Sequence, residues 1–376
     1  MIYLDSAATT LEKPQAVSAR TAWAMTHLAS PGRGGYGAGM GAAELVYRVR
    51  ERAAELFHVG DPQRVALTSN ATHGLNIAIH TLVPPGGTVV ISGYEHNAVT
   101  RPLHAIPGVK IRVAAGPLFD AGGVYDAFQR EITAGVDAVI CNHVSNVFGF
   151  IQPVGPIAAL CREQGVPLIV DASQSAGILP LDLEGWGAAF IAMPGHKGLY
   201  GPQGTGLLLC GGEAQPLICG GTGSLSASQE MPDFLPDRLE AGTQNVCGAA
   251  GLLAGMEFVA RKGTECIHAH ERRLACRMMD RLARLSGVTV YRGEDQSGLF
   301  SVVVDGMDCE DAAEALARRG IAVRAGLHCA PLAHRSAGTA DTGTVRFSFS
   351  AFNRADQADR AAEALGGIVK DGKKAW

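Results

Sequence analysis

The sequence predicts an α/β fold, with a large domain built on a mostly parallel sheet and a smaller α+β domain. The first observation is that short β-rich apolar runs alternate with longer helical stretches from Arg64 to about Leu209. The second is that this alternation ends near Asn245, where a long helical stretch leads into hairpin-like segments. We therefore expect the large domain at residues 16–245 and the small domain at residues 1–15 and 246–376.

The predicted strands of the large domain are continuous apolar runs, which is typical of a parallel sheet covered by helices on both faces. In such sheets, ligands bind beyond the carboxyl ends of the strands. Polar residues follow several of these strands, so we expect them at one edge of the sheet. The strands are Arg64–Thr68, Thr88–Ser92, Val109–Ala114, Asp137–Asn142, Pro167–Val170, Ala188–Met193 and Thr205–Leu209, with a helix from Ala71 to about Leu82; the polar residues are Thr72, His96, Asn146, Asp171 and Lys197.

The predicted small domain begins with a helical stretch from Gly248 to Leu285. A predicted hairpin follows, formed by Val288–Tyr291 and Leu299–Val304. A predicted helix, Cys309–Arg319, and a last β-like segment, Thr344–Ser350, come after it. We expect the N-terminal stretch to join this domain.

The composition favours a folded enzyme over a nucleic-acid-binding or membrane protein. Of 376 residues, 47% are hydrophobic and 18% are charged, and the formal net charge is −4, so neither nucleic acid nor an anionic membrane is an expected partner. The sequence has no apolar run long enough to span a membrane and no N-terminal signal core, so we expect a cytoplasmic protein. The nine cysteines form no C-x-x-C pair, so we expect neither a disulfide framework nor a metal site.

Lys197 lies in the glycine-rich segment Met193–Gly206, directly after an apolar strand. Enzymes that use pyridoxal phosphate (PLP) need a lysine held rigidly at a sheet edge, because its amine binds the cofactor and later moves the Cα proton. Upstream, Asp171 follows a buried strand, where its carboxylate could pair with a protonated pyridine nitrogen. Taken alone, the first segment could be a surface turn and Asp171 a helix N-cap.

The segment Ser69–Asn76 joins a predicted strand to a predicted helix. Backbone N–H groups at a helix N-terminus, together with the Thr72 hydroxyl, suit a phosphate, although any capped helix has this pattern. His96 could stack its ring on a flat cofactor, or it could be an ordinary loop histidine.

Two segments near the C-terminus carry further candidates. Cys329 lies in a glycine-containing loop beside His328 and near Arg324, which could lower the thiol pKa; the alternative is an inert buried cysteine. Arg346 lies between two apolar residues, so its side chain leaves the face that they bury. It could bind an amino-acid carboxylate through two hydrogen bonds or form a surface salt bridge.

Together these residues resemble fold-type I PLP enzymes of aminotransferase class V, specifically the cysteine desulfurase and selenocysteine lyase group. The resemblance runs from the segment Tyr3–Thr10 to the segment around Arg346. It implies PLP as cofactor, L-cysteine or L-selenocysteine as substrate, and a sulfur-acceptor protein as a possible partner. It also implies a homodimer in which the segment Gly220–Thr222 reaches the phosphate of the partner subunit.

The resemblance further implies a role for each candidate. Lys197 would form the Schiff base, Cys329 would accept the sulfur, and Arg346, helped by Arg324, would bind the substrate carboxylate. The other candidates would bind the cofactor: Ala71, Thr72 and His196 its phosphate, His96 its ring face, Asp171 its pyridine nitrogen, and Gln174 and Asn146 its ring oxygen or the substrate, with Thr222 acting in the partner subunit.

Two positions depart from the family pattern. His73 stands where many cysteine desulfurases carry Glu, and Leu327 stands where many have a second His. In the implied reaction Lys197 takes the Cα proton of L-cysteine, and the Cys329 thiolate attacks its sulfur, leaving L-alanine and an enzyme persulfide. That step requires a reactive thiolate and a mobile loop. The alternatives are a selenocysteine lyase, another class V aminotransferase-like enzyme and a non-catalytic scaffold in sulfur trafficking.

Overall fold

The structure is a computed structural model that describes residues 1–32 and 34–374 of the chain. In this part the strands are β1 (Ile2–Tyr3), β2 (Val65–Thr68), β3 (Thr88–Ser92), β4 (Lys110–Ala114), β5 (Ala138–Asn142), β6 (Leu168–Asp171), β7 (Phe190–Pro194), β8 (Gly206–Cys210), β9 (Val288–Tyr291), β10 (Leu299–Val304), β11 (Ile321–Ala322), β12 (Arg324–Gly326) and β13 (Thr344–Ser348). The α-helices are α1 (Gln15–His27), α2 (Gly37–Phe57), α3 (Ala71–Leu82), α4 (Asn97–Ala105), α5 (Ala121–Glu131), α6 (Val154–Gln164), α7 (Leu183–Trp186), α8 (Val246–Lys262), α9 (Thr264–Leu282), α10 (Cys309–Arg318), α11 (Pro331–Ala337) and α12 (Ala355–Lys374).

The large sheet has the strand order β2–β8–β7–β6–β5–β3–β4. The pairs from β7 to β4 are parallel, whereas β8 is antiparallel to both of its neighbours. The predicted mostly parallel sheet is therefore confirmed, and each predicted strand overlaps an observed one. The connection from β7 to β8 contains no helix, so the chain turns back directly and the two strands pair antiparallel.

Alternate residues of the large sheet face two different hydrophobic cores. In β6, Ile169 belongs to the core shared with α3 and α4, and Val170 belongs to the core shared with α2, α5, α6 and α8. Because helices cover both faces, the carboxyl ends of the parallel strands form the open edge of the sheet. Side chains that follow these strands can meet there.

The helical stretch predicted from Gly248 to Leu285 consists of two helices. Helix α8 ends at Lys262 and α9 begins at Thr264, with Gly263 between them at a φ of 82°. The break lets the two helices pack separately, since α8 contributes to a core of the large sheet and α9 to the core of the small sheet. The predicted domain limits stay a prediction. Helix α8 packs with the large sheet, although it lies after the predicted limit at residue 245.

The small sheet has the order β12–β13–β10–β9 and is antiparallel throughout. The predicted hairpin of β9 and β10 is confirmed. The N-terminal strand β1 pairs in parallel with β11, and Asp5 bridges Ser348, so the N-terminal segment lies against this part of the fold. Among the helices of the described residues, none is both long and apolar enough to cross a bilayer.

Candidate active site

A cavity lies at the open edge of the large sheet. All five polar residues predicted for this edge line it, and three further sequence candidates join them. Together these are Ala71, Thr72, His96, Asn146, Asp171, Gln174, His196 and Lys197. Asn142 and Ser173 also line the cavity, although no local sequence pattern marks them as candidates. The structure thus brings these candidates together, and their individual roles stay predictions.

Lys197 follows β7 in a turn that requires glycine. A Cβ atom at Gly198 would lie 2.3 Å from the Ala176 O atom, and one at Gly177 would lie 2.2 Å from the Gly198 O atom. This close backbone approach fixes the turn against the segment that follows Asp171. Burial lowers the pKa of the Lys197 amine to about 8, and the negative charge of Asp171 opposes this fall. Such an amine can both hold and release a proton near neutral pH.

Asp171 and His96 lie on adjoining parts of the cavity wall. Asp171 ends β6, is 4% exposed, and accepts the Ser173 N–H at 2.9 Å through its Oδ1 atom. His96 precedes α4, and its Nδ1 atom accepts the Ala98 N–H at 2.9 Å. Burial lowers the pKa of His96 and favours the neutral ring, which therefore carries its proton on Nε2. The wall thus offers a fixed carboxylate and a flat neutral ring.

The helix α3 begins at Ala71 beside the cavity, as the sequence predicts. The Asn70 side chain caps this helix by accepting the His73 N–H at 2.9 Å. The N–H groups of Ala71 and Thr72 lie in the first turn, where helix N–H groups have no partner within the helix. This end of the cavity therefore suits an anion. His73, a departure from the family pattern, lines a neighbouring cavity and accepts the Ser69 N–H at 3.3 Å.

Two buried polar atoms of the cavity lining, Asn146 Oδ1 and His196 Nδ1, have no hydrogen-bond partner among the residues that the structure describes. Buried polar atoms normally have partners, so these two are available to hydrogen-bond a bound molecule. Burial lowers the pKa of His196 to about 4, so its ring is neutral at pH 7. Gln174 donates from Nε2 to the Ala7 O atom at 3.0 Å and so ties the cavity to the N-terminal segment.

Arg346 is 2% exposed, so the surface salt bridge considered for it is wrong. Its Nη2 atom donates to Asp5 Oδ1 at 2.8 Å, and its Nη1 atom donates to the Asn146 O atom at 2.9 Å. The Arg346 Nε atom is buried and, within the described part of the chain, unpartnered. Arg324 lies opposite Arg346 in the β12–β13 pairing, is exposed, and has its Nε atom 3.5 Å from Asp5 Oδ2. Asp5 therefore lies between the two predicted substrate-binding arginines.

Cys329 is exposed and is not itself among the residues that line the cavity. Its O atom accepts the Asn97 N–H at 2.7 Å, and Asn97 directly follows His96. The preceding carbonyl, that of His328, accepts from Asn146 Nδ2 at 2.8 Å. These two hydrogen bonds tie the loop to Asn146, which lines the cavity, and to Asn97, which lies between two lining residues. The mobile loop that sulfur transfer requires stays a prediction.

The His328 ring turns away from the thiol, towards β13. Its Nε2 atom lies 3.1 Å from Thr344 Oγ1. Burial places the pKa of His328 far below its usual range, and the positive charge of Arg346 adds to the fall. His328 is therefore neutral at pH 7, and the reactivity of the Cys329 thiol stays a prediction. Leu327, the second departure from the family pattern, is 44% exposed next to this loop.

Thr222 lies apart from the cavity, on a surface segment that spans residues 219–232. Its Oγ1 atom is 2.9 Å from Ser224 Oγ. The structure therefore does not bring Thr222 to the cavity of its own chain. Its contact with a phosphate in the partner subunit stays a prediction.

Known proteins resemble this chain over nearly its whole length. A family model described as Aminotransferase class-V matches residues 2–361. A probable cysteine desulfurase from Methanothermobacter thermautotrophicus is 33% identical over 97% of this chain and 94% of that protein. A probable cysteine desulfurase from Pseudomonas aeruginosa is 35% identical over 97% of this chain and 93% of that protein. The structure of an apo cysteine desulfurase from Thermococcus onnurineus matches with a TM-score of 0.90 and 28% identity, covering 98% of this chain and 95% of that one.

Proposed function

The chain belongs to the class V aminotransferase family, and from this premise we propose that it is a PLP-dependent cysteine desulfurase. In this proposal it converts L-cysteine to L-alanine and takes the sulfur on Cys329 as a persulfide. One observation carries the proposal: the Cys329 backbone is hydrogen-bonded to Asn97, whose neighbours His96 and Ala98 line the same cavity as Lys197 and Asp171. A sulfur nucleophile, an amine of suitable pKa and a buried carboxylate thus lie around one cavity.

The lining of the cavity fits PLP. The unpartnered atoms Asn146 Oδ1 and His196 Nδ1 can take hydrogen bonds with a polar ligand, and the first turn of α3 can take a phosphate. The proposed cofactor contacts are Lys197 with the aldehyde carbon, Asp171 with the pyridine nitrogen, His96 with the ring face, Ala71, Thr72 and His196 with the phosphate, and Asn146 and Gln174 with the ring oxygen or the substrate. When bound, PLP supplies an electron sink for the substrate Cα atom.

Arg346 binds the substrate carboxylate in this proposal. Asp5 and the Asn146 carbonyl fix two of its nitrogens, and the unpartnered Nε–H remains as a donor. Arg324 adds positive charge on the exposed side. With the carboxylate held there, Lys197 takes the Cα proton, for which its lowered pKa of about 8 suits it.

Sulfur transfer begins when the Cys329 thiolate attacks the sulfur atom of the substrate. The S–S bond forms as the substrate Cβ–S bond breaks, and the electron pair stays on Cβ. Cβ and Cα then each receive a proton, one returned by Lys197 and one equivalent to the proton that the Cys329 thiol released on becoming a thiolate. The products are L-alanine and a persulfide on Cys329. Because the loop is tied to the cavity and Cys329 is exposed, an acceptor protein or thiol comes to Cys329 to collect the sulfur.

The proposed enzyme acts as a homodimer. Thr222 lies away from the cavity of its own chain, so a second copy is needed for it to contact a cofactor. Exposed large apolar side chains on α1 and α2 offer a surface for that copy, namely Trp23, Met25, Met40 and Tyr47. Light scattering of the purified protein tests this: twice the chain mass is expected, and a single chain mass would contradict it. The cytoplasmic location stays a prediction.

The substitution Cys329→Ala tests the proposed function. We expect this variant to keep the PLP absorption band but to release alanine from L-cysteine at least about 100-fold more slowly, because the attacking sulfur is gone. Cys266, an exposed cysteine of α9, supplies the control, and Cys266→Ala should behave as wild type. Wild-type desulfurase activity in Cys329→Ala would refute the role of Cys329. Retained selenide release from L-selenocysteine by the same variant would favour a selenocysteine lyase.

A further inference from the structure

Glu95 carries a buried carboxyl group directly behind the cavity. It is 0% exposed and lies between β3 and α4, next to His96. Its Oε1 atom accepts two hydrogen bonds, from Ser92 Oγ at 2.5 Å and from the Asn142 N–H at 2.7 Å. Asn142 lines the cavity and is aligned with Asp171 in the β5–β6 pairing. Glu95 therefore holds the end of β5 in place beside Asp171.

The hydrogen-bond donors around Glu95 are committed to other acceptors. Asn142 Nδ2 donates to the Tyr94 O atom at 2.8 Å, and Gln152 Nε2 donates to the Asn142 O atom at 2.6 Å. As a result Glu95 Oε2 is buried without a partner among the described residues. An ionised carboxylate in such a place buries a charge that the two hydrogen bonds at Oε1 only partly offset, whereas the neutral acid buries no charge.

The neighbouring carboxylate of Asp171 also favours the neutral form of Glu95. Burial raises the pKa of Glu95 to about 8, and the charge of Asp171 adds to the rise, while hydrogen bonds from Ser92 and Asn142 oppose it. The titratable groups that act with Glu95 are Asp171 at the end of β6 and the Cys141 thiol on β5. Asp171, by contrast, lies near the Lys197 amine, which supports its negative charge. The proton therefore resides on Glu95.

We propose that Glu95 is a positioning residue of the cofactor site: as a neutral acid it holds Asn142 beside Asp171 and leaves Asp171 as the single negative charge at this wall. The part of this inference that concerns PLP rests on the proposed function. The part that concerns the proton on Glu95 can be tested without cofactor.

The first experiment is urea unfolding of the apoenzyme between pH 6 and pH 9. A carboxyl group whose pKa is raised by folding binds its proton more tightly in the folded state. The free energy of unfolding therefore falls as the pH rises towards about 8. In wild type, the Glu95 proton should raise the unfolding constant by a factor of about ten for each pH unit between pH 6 and pH 8. Glu95→Gln cannot lose a proton, so this factor should be absent from its pH dependence. Equal pH dependence in the two proteins would overturn the proposal.

The matched control is Glu271→Gln. Burial also raises the pKa of Glu271, on α9, to about 8, so this variant should flatten the same pH dependence. Ser92→Ala provides a second test should Glu95→Gln fail to fold, because Ser92 donates the hydrogen bond that lowers the Glu95 pKa. Ser92→Ala should therefore lose its free energy of unfolding at a higher pH than wild type. If this loss occurs at the same pH in both proteins, the result would count against the proposal.

The second experiment titrates the apoenzymes with PLP at pH 7. We expect Glu95→Gln to bind within about twofold of wild type and Glu95→Ala to bind at least about tenfold more weakly, because alanine removes both hydrogen bonds at Oε1. Glu271→Gln should bind PLP as wild type does. Binding by Glu95→Gln that is as weak as that of Glu95→Ala would overturn the proposal. A wild-type protein that binds no PLP would instead refute the proposed function and leave the urea experiment valid.

Discussion

Replacing Asn97 with proline tests whether attachment of Cys329 to the cavity rim matters for sulfur transfer. The Asn97 N–H donates to the Cys329 O atom at 2.7 Å. Asn97 is the first residue of α4, a position where proline fits the helix. His96 before it has a φ of −78° and a ψ of 156°, extended values that tolerate a following proline. Asn97→Pro therefore removes this one hydrogen bond and leaves the helix intact.

The expected magnitudes follow from the lost contact. One hydrogen bond contributes about 1 kcal/mol to the free energy of unfolding. The proline ring also fills the place of the N–H hydrogen, so the Cys329 carbonyl has to move away. A shift of about 1 Å in a reacting group can slow a reaction about 100-fold. We expect Asn97→Pro to be about 1 kcal/mol less stable and to transfer sulfur roughly 10 to 100 times more slowly.

The assay is a single turnover with L-cysteine, in which alanine and the Cys329 persulfide are quantified and the PLP absorption band is recorded in parallel. The control is Asn97→Ala, which keeps the backbone N–H and loses only a side chain whose Oδ1 atom accepts from the Thr100 hydroxyl at 3.3 Å. This control should transfer sulfur as wild type does, and both variants should keep the PLP band. Wild-type transfer in Asn97→Pro, or equal slowing in both variants, would refute the reasoning.

Two further predictions concern Asp5 and Lys197. Asp5 and Arg346 form a buried ion pair, in which the side chains are 14% and 3% exposed. Asp5→Asn removes one charge of this pair, so urea unfolding should show a free energy of unfolding lower by about 3 kcal/mol. The exposed pair of Arg354 and Asp356 supplies the control, and an effect of Asp356→Asn as large as that of Asp5→Asn would argue against this account. In the apoenzyme, acetylation of Lys197 by acetic anhydride, followed by peptide mass spectrometry, should be half-maximal near pH 8, because only the neutral amine reacts. A midpoint near the ordinary lysine pKa of about 10.4 would show that burial does not perturb this amine.

The cavity at the edge of the large sheet could be predicted because its residues lie close in sequence to the strands that carry them. Asp171 ends a strand, and Lys197 and Thr72 follow strands within a few residues. A correct prediction of these strands therefore also gave the positions of the three side chains. The apolar runs in turn identified the strands, because a sheet covered on both faces has few polar residues. The antiparallel direction of β8 was not predicted, since strand direction depends on the connection and leaves no mark on the strand itself.

Contacts between distant segments were not predictable from local patterns. Asp5 and Arg346 lie 341 residues apart, and nothing near either of them indicates the other. The hydrogen bond from Asn97 to Cys329 likewise depends on how the small domain lies against the large sheet. Glu95 was visible beside His96 in the sequence, but a glutamate in a loop is ordinarily exposed, and its burial follows from its contacts with β3 and β5.

The central claim is that the cavity binds PLP through Lys197. Borohydride reduction of the PLP-loaded protein, followed by peptide mass spectrometry, tests it most directly because reduction fixes the cofactor on the lysine that holds it. Lys13 is an internal control, since its Nζ atom lies 3.3 Å from the His196 O atom and burial lowers its pKa to about 8. We expect the pyridoxyl group on Lys197 and an unmodified Lys13. A pyridoxyl group on Lys13, or none on Lys197, would contradict the account.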